Sequence, residues 1–204
     1  MSSIDYTVVD NFFPNEVCYD LRKYALDLNV PIDNQYNDYI SKEFDHYPNP
    51  HSFPKIHSSK HISELISEKV SLVQSLKYDR SWCFVYDNIA RGVHPHADPS
   101  SNLNDPTFIT VNTWITPDSS VDDTNKNGLI LYEKTADGMS PDLYNNPDIN
   151  IIKDFLKDSE YVRIPYKYNR AVIFKSHHFH TTDNVHMKPG HQNRRISYTF
   201  LYNK

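Results

Sequence analysis

After Lys77 the apolar residues of this chain stop recurring at helical spacing and take up a strand-like pattern, and that change constrains the fold more than any other feature. Trp82-Cys83-Phe84-Val85-Tyr86 reads as a strand, and short β-rich runs follow at residues 108–115, 129–132, 161–165, 171–174 and 196–202. Several short strands separated by turn-rich links predict an all-β sandwich or jelly roll. The first 77 residues differ. After a short β-rich segment at residues 4–13, Pro14-Asn15-Glu16 opens a helix that Asn11 or Asn15 can cap. Val17, Leu21, Tyr24, Ala25 and Leu28 recur there at helical spacing and should pack on a sheet. Residues 31–58 carry Pro31, Pro48, Pro50 and Pro54 among polar and aromatic residues and read as irregular covering structure. A second amphipathic helix is predicted from about residue 60 to residue 76, with Ile62, Leu65, Ile66, Val70, Val73 and Leu76 along one side. The expected architecture is mainly β with N-terminal helices packed on the outer face of one sheet. It is one domain over 1–204, divided into a helical part, 1–77, and a jelly-roll core, 78–204.

Composition narrows the function classes. A chain of 204 residues suits one domain, and its 15 Tyr and 10 Phe can build a core despite a hydrophobic fraction of 38%. The net charge is −5 and no Lys/Arg run is dense enough to track phosphates, which argues against a nucleic-acid partner. No apolar run reaches membrane-spanning length, and the N-terminus lacks a charged-then-apolar signal pattern, so a cytoplasmic protein without a membrane partner is expected. Cys18 and Cys83 are too few for a disulfide framework or a thiolate zinc site. Residues 134–158, with Gly138, Pro141, Pro147 and a short helix around 151–156, interrupt the strands. Such an insertion is either a lid over a site or a structural excursion packed elsewhere.

The chemistry concentrates in Arg91-Gly92-Val93-His94-Pro95-His96-Ala97-Asp98. On an extended backbone His96 and Asp98 point the same way, so one short segment offers a nitrogen and an oxygen ligand to one metal ion. One further His completes the two-His, one-carboxylate set of non-haem Fe(II) oxygenases. Downstream, an apolar strand from Ala171 to Phe174 leads into a His-rich turn, His177-His178-Phe179-His180-Thr181-Thr182-Asp183. Beyond it, Asn193-Arg194-Arg195-Ile196 opens the last strand. Parity there puts Arg195, Ser197 and Thr199 on one face and Ile196, Tyr198 and Phe200 on the other. In the strand near residue 110, Thr110, Asn112, Trp114 and Thr116 oppose Ile109, Val111, Thr113 and Ile115. Each strand has one largely apolar face for a core and one polar face, which we assign to a cavity because Trp114 would be costly to leave in water.

With these parts in order, the chain resembles the Fe(II)- and 2-oxoglutarate-dependent dioxygenases, especially the prolyl-4-hydroxylase-like group, over roughly residues 82–202. That group reads His-x-Asp, a distal His after a hydrophobic strand, and an Arg or Lys starting the next strand. The resemblance implies a double-stranded β-helix in which His96, Asp98 and His180 hold Fe(II). It implies that Arg195 pairs with the far carboxylate of 2-oxoglutarate, with Tyr86 also contacting that cosubstrate and Gly92 in a turn. Asn112, Trp114, Ser197 and Thr199 would line the pocket. The implied reaction consumes O2 and 2-oxoglutarate, releases succinate and CO2, and hydroxylates a C–H bond of a peptidyl, prolyl-like or small-molecule substrate, with ascorbate as a stimulant. The rivals are His94, whose pairing with His96 is like that of cupins, His177 and His178 against His180, and Arg194 against Arg195. A cupin-like metal-binding module without catalysis is the alternative function, although Pro99, Ser100 and Ser101 stand where cupins place a Glu.

Overall fold

The computed structural model describes residues 4–27, 39–43, 59–86, 88–90, 92–98, 107–123, 125–144 and 148–204. Its frame is a six-stranded antiparallel sheet. The strands are β1 (Tyr6–Asp10), β2 (Tyr39–Glu43), β3 (Lys77–Tyr86), β5 (Ile109–Trp114), β8 (Arg170–Lys175) and β11 (Arg195–Asn203), in the order β1-β8-β5-β11-β3-β2. Facing it is a three-stranded sheet of β6 (Leu129–Thr135), β7 (Tyr161–Ile164) and β9 (His178–Thr182), in the order β7-β6-β9. The short strands β4 (Ile89–Ala90) and β10 (Val185–His186) pair with each other. Two antiparallel sheets face to face, linked by crossing connections, make the expected jelly roll.

Alternation along each strand decides what lies on either side of the large sheet. Cys83, Val85, Ile109, Val111, Ile115, Ala171, Ile173, Ile196, Tyr198 and Phe200 are buried together with the apolar stripes of two helices. Helix α1 (Asn15–Asp27) contributes Val17, Cys18, Leu21, Tyr24, Ala25 and Leu26. Helix α2 (Ser59–Lys69) contributes Ile62 and Ile66. The helices therefore cover the outer face, as the spacing predicts. On the inner face Tyr86, Trp114, Val172 and Phe174 pack against Leu129, Leu131 and Ile164 of the small sheet. Among the described residues no helix is long and apolar enough to cross a membrane.

Three expectations are corrected. The second helix ends at Lys69, because Val70 turns extended (φ −118, ψ 95) and only a single 3-10 turn, Ser71–Val73, follows. Val70 and Val73 remain buried, so the apolar stripe continues although the helix does not. Within the supposed irregular stretch 31–58, Tyr39–Glu43 forms β2 and pairs with β3; the rest of that stretch lies outside the described residues. The His-rich stretch is not a turn, since His178–Thr182 is the strand β9 beside β6.

The insertion between β6 and β7 holds the short helices α3 (Pro141–Tyr144) and α4 (Ile149–Leu156). The Asp148 side chain caps α4 by accepting from the Asn150 backbone N–H. Tyr144, Ile152 and Leu156 are buried in one cluster with Ala97 and Phe179. Those two residues alternate with His96, Asp98 and His180, so the insertion packs on the back of the ligand-bearing strands, away from the ligand side chains. It is a buttress, and the lid reading is withdrawn.

A glycine marks where the small sheet closes most tightly. A Cβ at Gly128 would stand 1.9 Å from the Ile164 carbonyl oxygen, whereas one at Gly138 would meet nothing within 4 Å. Gly128→Ala should lower the unfolding free energy by about 1–3 kcal/mol through backbone displacement. Gly138→Ala should cost only the roughly 1–2 kcal/mol of a left-handed non-glycine residue, since its φ is +73. Urea unfolding of the two variants, with Gly128→Ala the less stable, checks this.

Candidate metal centre

His96 and His180 stand opposite each other and exchange both backbone hydrogen bonds. The His96 N–H donates to the His180 carbonyl at 3.0 Å and the His180 N–H donates to the His96 carbonyl at 2.9 Å. Such a pair puts both side chains on the same side of the ladder. The segments around them are held close. Ala90 and Ile89 pair with Val185 and His186, and the Thr181 hydroxyl donates to the Val93 carbonyl. Gly92 permits this approach, since a Cβ there would lie 2.7 Å from the Thr182 carbonyl oxygen. Two residues beyond His96, the Asp98 N–H donates to the Ser176 carbonyl at 3.2 Å and its carboxylate returns to the same face.

The resulting cluster is compact. Asp98 Oδ1 lies 3.6 Å from His96 Nε2, and Asp98 Oδ2 lies 3.5 Å from His180 Nε2. The three ligand atoms all fall within 4.8 Å of one another. Neighbouring ligands each about 2.1 Å from one ion stand about 3 Å apart, so the set fits a first-row metal after small adjustment. Tautomers also fit. His96 Nδ1 is 2.8 Å from the His94 carbonyl and His180 Nδ1 is 3.2 Å from the His178 carbonyl. Each Nδ1 therefore carries the proton and each Nε2 presents its lone pair to the metal position. The Thr110 hydroxyl donates to Asp98 Oδ2 at 2.7 Å.

Electrostatics favour a cation here. Burial pulls the His180 imidazole down, to about 4, against the attraction of Asp98, so it is neutral at pH 7. Burial acts the same way on His96, but the adjoining Asp98 carboxylate outweighs it and raises this imidazole above its ordinary range. Burial would raise Asp98, yet the two imidazoles and Thr110 hold it down at about 2. A buried carboxylate facing two nitrogen lone pairs is a donor set for a divalent metal with open positions.

The rival histidines are engaged elsewhere. His177 Nδ1 lies 2.9 Å from Asp137 Oδ1, and His178 Nδ1 lies 2.9 Å from the Tyr132 carbonyl. The ring of His94 is 6.1 Å from that of His96, and its carbonyl is what orients His96. Among the described residues His96, Asp98 and His180 form the only cluster with metal-ligand spacing.

On β11 of the facing sheet lies Arg195, which is 1% exposed. Its Nε donates to the Asn127 carbonyl at 2.7 Å and its Nη1 to Ser197 Oγ at 3.2 Å. Its guanidinium carbon lies 5.0, 5.8 and 5.9 Å from the ring centres of Tyr86, Trp114 and Tyr166. Burial lowers its pKa, and no carboxylate pairs with it among the described residues; Asp183, which acts on it from further off, is bridged to Arg163. The other pocket-face residues stand where parity puts them. Ser197 is opposite Trp114, Thr199 is opposite Asn112, and the Asn112 amide donates to Thr199 Oγ1 at 2.8 Å. The Tyr86 hydroxyl lies 2.9 Å from Thr182 Oγ1. Sequence reasoning did not single out Thr110, Ser176, Asn127 or Tyr166. Thr110 was readable as a member of the polar face, and Asn127-Gly128 as a turn dipeptide; Tyr166 carried no signal.

Comparison with known proteins agrees with this arrangement at the level of structure. No protein-family model matches the sequence, and no curated protein matches it either. Among solved structures, the chain is similar to the non-haem α-ketoglutarate-dependent epimerase SnoN from nogalamycin biosynthesis. That match has a TM-score of 0.65 at 12% identity and covers 98% of this chain and 79% of the other. It is also similar to a prolyl hydroxylase from Trichoplax adhaerens in complex with a hypoxia-inducible-factor peptide fragment (TM-score 0.60, 13% identity, covering 98% and 84%). HygX from Streptomyces hygroscopicus, with nickel and 2-oxoglutarate bound, matches with a TM-score of 0.57 at 9% identity, covering 98% and 83%. The fold is the jelly roll of the Fe(II)/2-oxoglutarate oxygenases, and within it this chain carries a His-Asp-His cluster.

Ala at His96, Asp98 or His180 should weaken uptake of Fe(II) or Co(II) by more than the roughly 10–100-fold that outer contacts are worth. Ala at His94 or His177 should change it by less than about tenfold. Anaerobic metal titration of the five variants checks this. Loss in His94→Ala with retention in His180→Ala would show that the ligands are misassigned.

Proposed function

We propose that this protein is an Fe(II)- and 2-oxoglutarate-dependent oxygenase that hydroxylates a C–H bond of a peptidyl, prolyl-like or small-molecule substrate. The observation that carries this reading is the Arg195 guanidinium on β11, buried between the two sheets with no carboxylate partner among the described residues, together with the His96-Asp98-His180 cluster on and beside β9 of the facing sheet. Burying a charge without a partner is costly, and the carboxylate of a ligand removes that cost. A guanidinium has five N–H donors, and the Asn127 carbonyl and Ser197 hydroxyl take two of them. The remaining three lie on the two terminal nitrogens, the edge that suits paired contact with a carboxylate. A dicarboxylate that chelates a metal at one end and meets this edge with the other matches 2-oxoglutarate.

In this assignment His96, Asp98 and His180 hold the metal on one face and leave positions open for the cosubstrate and O2. When bound, iron with 2-oxoglutarate and O2 supplies the oxidising power, with succinate and CO2 as coproducts. The chain's own residues orient and exclude. Phe174 packs edge-on against the His180 ring, with centroids 4.9 Å apart, and limits water on that side. Trp114 and Tyr166, stacked at 5.4 Å, wall in Arg195, and Tyr86 packs beneath it. Asn112, Ser197 and Thr199 line the path between the cation and the metal ligands. The peptide-bound prolyl hydroxylase among the similar structures supports a peptidyl substrate, while the epimerase of the same fold argues that substrate follows the pocket and not the fold.

The test is formation of succinate from 2-oxoglutarate by the Fe(II)-loaded protein with ascorbate, with and without candidate peptides. Metal binding without succinate under every condition would return the catalytically silent jelly-roll module. Arg195→Ala should cost 2-oxoglutarate affinity about tenfold to several hundredfold, since charge-assisted hydrogen bonds are worth about 1.5–3 kcal/mol each. Arg195→Lys should recover only part, lacking the planar fork. Arg194→Ala should be mild, because its side chain leaves the opposite face of the chain. Anaerobic titration of 2-oxoglutarate into the metal-loaded variants measures all three, and a large loss confined to Arg194→Ala would move the strand register by one.

A further inference from the structure

The Asp98 carboxylate is held by a second set of groups that the proposed chemistry does not use. Thr110 on β5 donates its hydroxyl to Asp98 Oδ2 at 2.7 Å, and the same Thr110 oxygen lies 2.8 Å from Ser176 Oγ. Both residues are 0% exposed and Asp98 is 1% exposed, so no water competes with these contacts. A threonine hydroxyl has one proton. With that proton on the carboxylate, the Ser176 hydroxyl is the donor to Thr110, and the three groups form a chain, Ser176 to Thr110 to Asp98. Chained hydrogen bonds polarise one another in the same direction, which strengthens the last of them.

The placement of Ser176 gives this chain a further property. Ser176 sits in the turn between β8 and β9, and its carbonyl accepts the Asp98 N–H at 3.2 Å. One residue therefore fixes the Asp98 backbone directly and its carboxylate through Thr110. β9, which follows that turn, carries His180. The segment bearing two ligands is thus tied to the strand bearing the third at both the backbone and the side-chain level.

We propose that Thr110 and Ser176 are positioning residues that fix the Asp98 carboxylate in its orientation between the imidazoles, with Oδ1 3.6 Å from His96 Nε2 and Oδ2 3.5 Å from His180 Nε2. The proposal rests on the metal-site reading above. A carboxylate free to rotate loses this placement between the two imidazoles. A carboxylate with one oxygen engaged at 2.7 Å cannot rotate away without breaking a buried charge-assisted bond. Thr110 and Ser176 touch neither metal nor cosubstrate and act through Asp98 alone.

The test is titration of Co(II) into the metal-free protein without 2-oxoglutarate, reading both affinity and the visible ligand-field spectrum. Thr110→Val keeps the shape and removes the donor. It should lower Co(II) affinity about 10–100-fold, the range seen for outer-shell partners, and alter the spectrum as Asp98 leaves that orientation. Thr110→Ser, which restores the hydroxyl, should return both to near wild type. Ser176→Ala, which removes only the far end of the chain, should give a smaller loss in affinity and a spectral change of the same sign. Wild-type affinity and spectrum in Thr110→Val would overturn the proposal while leaving the metal site standing. If Thr110→Val does not fold, an unchanged Ser176→Ala overturns it equally. Failure of the wild-type protein to take up Co(II) at all would overturn the metal-site reading and this proposal with it.

Discussion

The reciprocal backbone pair between His96 and His180 is the constraint on which the site depends. Two residues that exchange both hydrogen bonds across an antiparallel ladder must send their side chains to the same side. The two imidazoles consequently stand with ring centres 4.5 Å apart before any metal is considered. Asp98 joins them only because it lies two residues further along an extended segment. A slip of one residue would turn an imidazole to the back of the sheet, where Phe179 and Ala97 now meet α4. Register is therefore the quantity the surrounding structure protects. The short β4–β10 ladder fixes it on one side, the approach permitted by Gly92 fixes it beside His96, and the apolar contacts of the insertion fix it from behind.

The large sheet separates two kinds of work by parity alone. Its outer face is a conventional core against two helices. Its inner face carries Thr110 and Phe174 against the His-Asp-His cluster of the facing sheet at one end and the caged Arg195 guanidinium at the other. The register between β5 and β11 sets Ser197 opposite Trp114 and Thr199 opposite Asn112, so the intervening surface is built from paired positions and not from loops. A site on strand positions keeps its spacing more closely than one on loops. The polar side chains of this β interior are paired in part: Ser197 accepts from Arg195 and Thr199 from the Asn112 amide, while Asn112 Oδ1 and Trp114 Nε1 are buried with no partner among the described residues.

What the sequence made legible was periodicity and chemistry. Alternation in 109–116 and 195–201 assigned the faces correctly, and the order His96, Asp98, His180, Arg195 named a cluster beside one sheet and a buried cation on the sheet that faces it. The illegible parts share physical causes. Strand β9 reads as a turn because His177, His178 and His180 offer no apolar alternation; its strand character comes from pairing with β6 and from the bridge to His96. The end of α2 at Lys69 is invisible because Val70 and Val73 continue the apolar stripe in a non-helical conformation. The insertion looks like a lid because length and turn residues say nothing of where Tyr144, Ile152 and Leu156 will find cover. Thr110 escaped notice because a threonine on a polar face is unremarkable until Asp98 is seen beside it.

The two buried charges between the sheets respond differently to the absence of a ligand, and this bears on where binding does most for the protein. Asp98 has two imidazoles within reach, and its charge raises the proton affinity of His96. Arg195 has no such recourse, because a guanidinium does not give up its proton in a protein. Among the described residues its charge is met by a carbonyl, a hydroxyl, the faces of three rings and the more distant Asp183. Rings and neutral acceptors recover part of the desolvation cost but do not cancel a net charge. The cation end of the pocket is thus held in a state that an anion relieves. An anion that pairs with Arg195 would add its binding free energy to the stability of the folded chain.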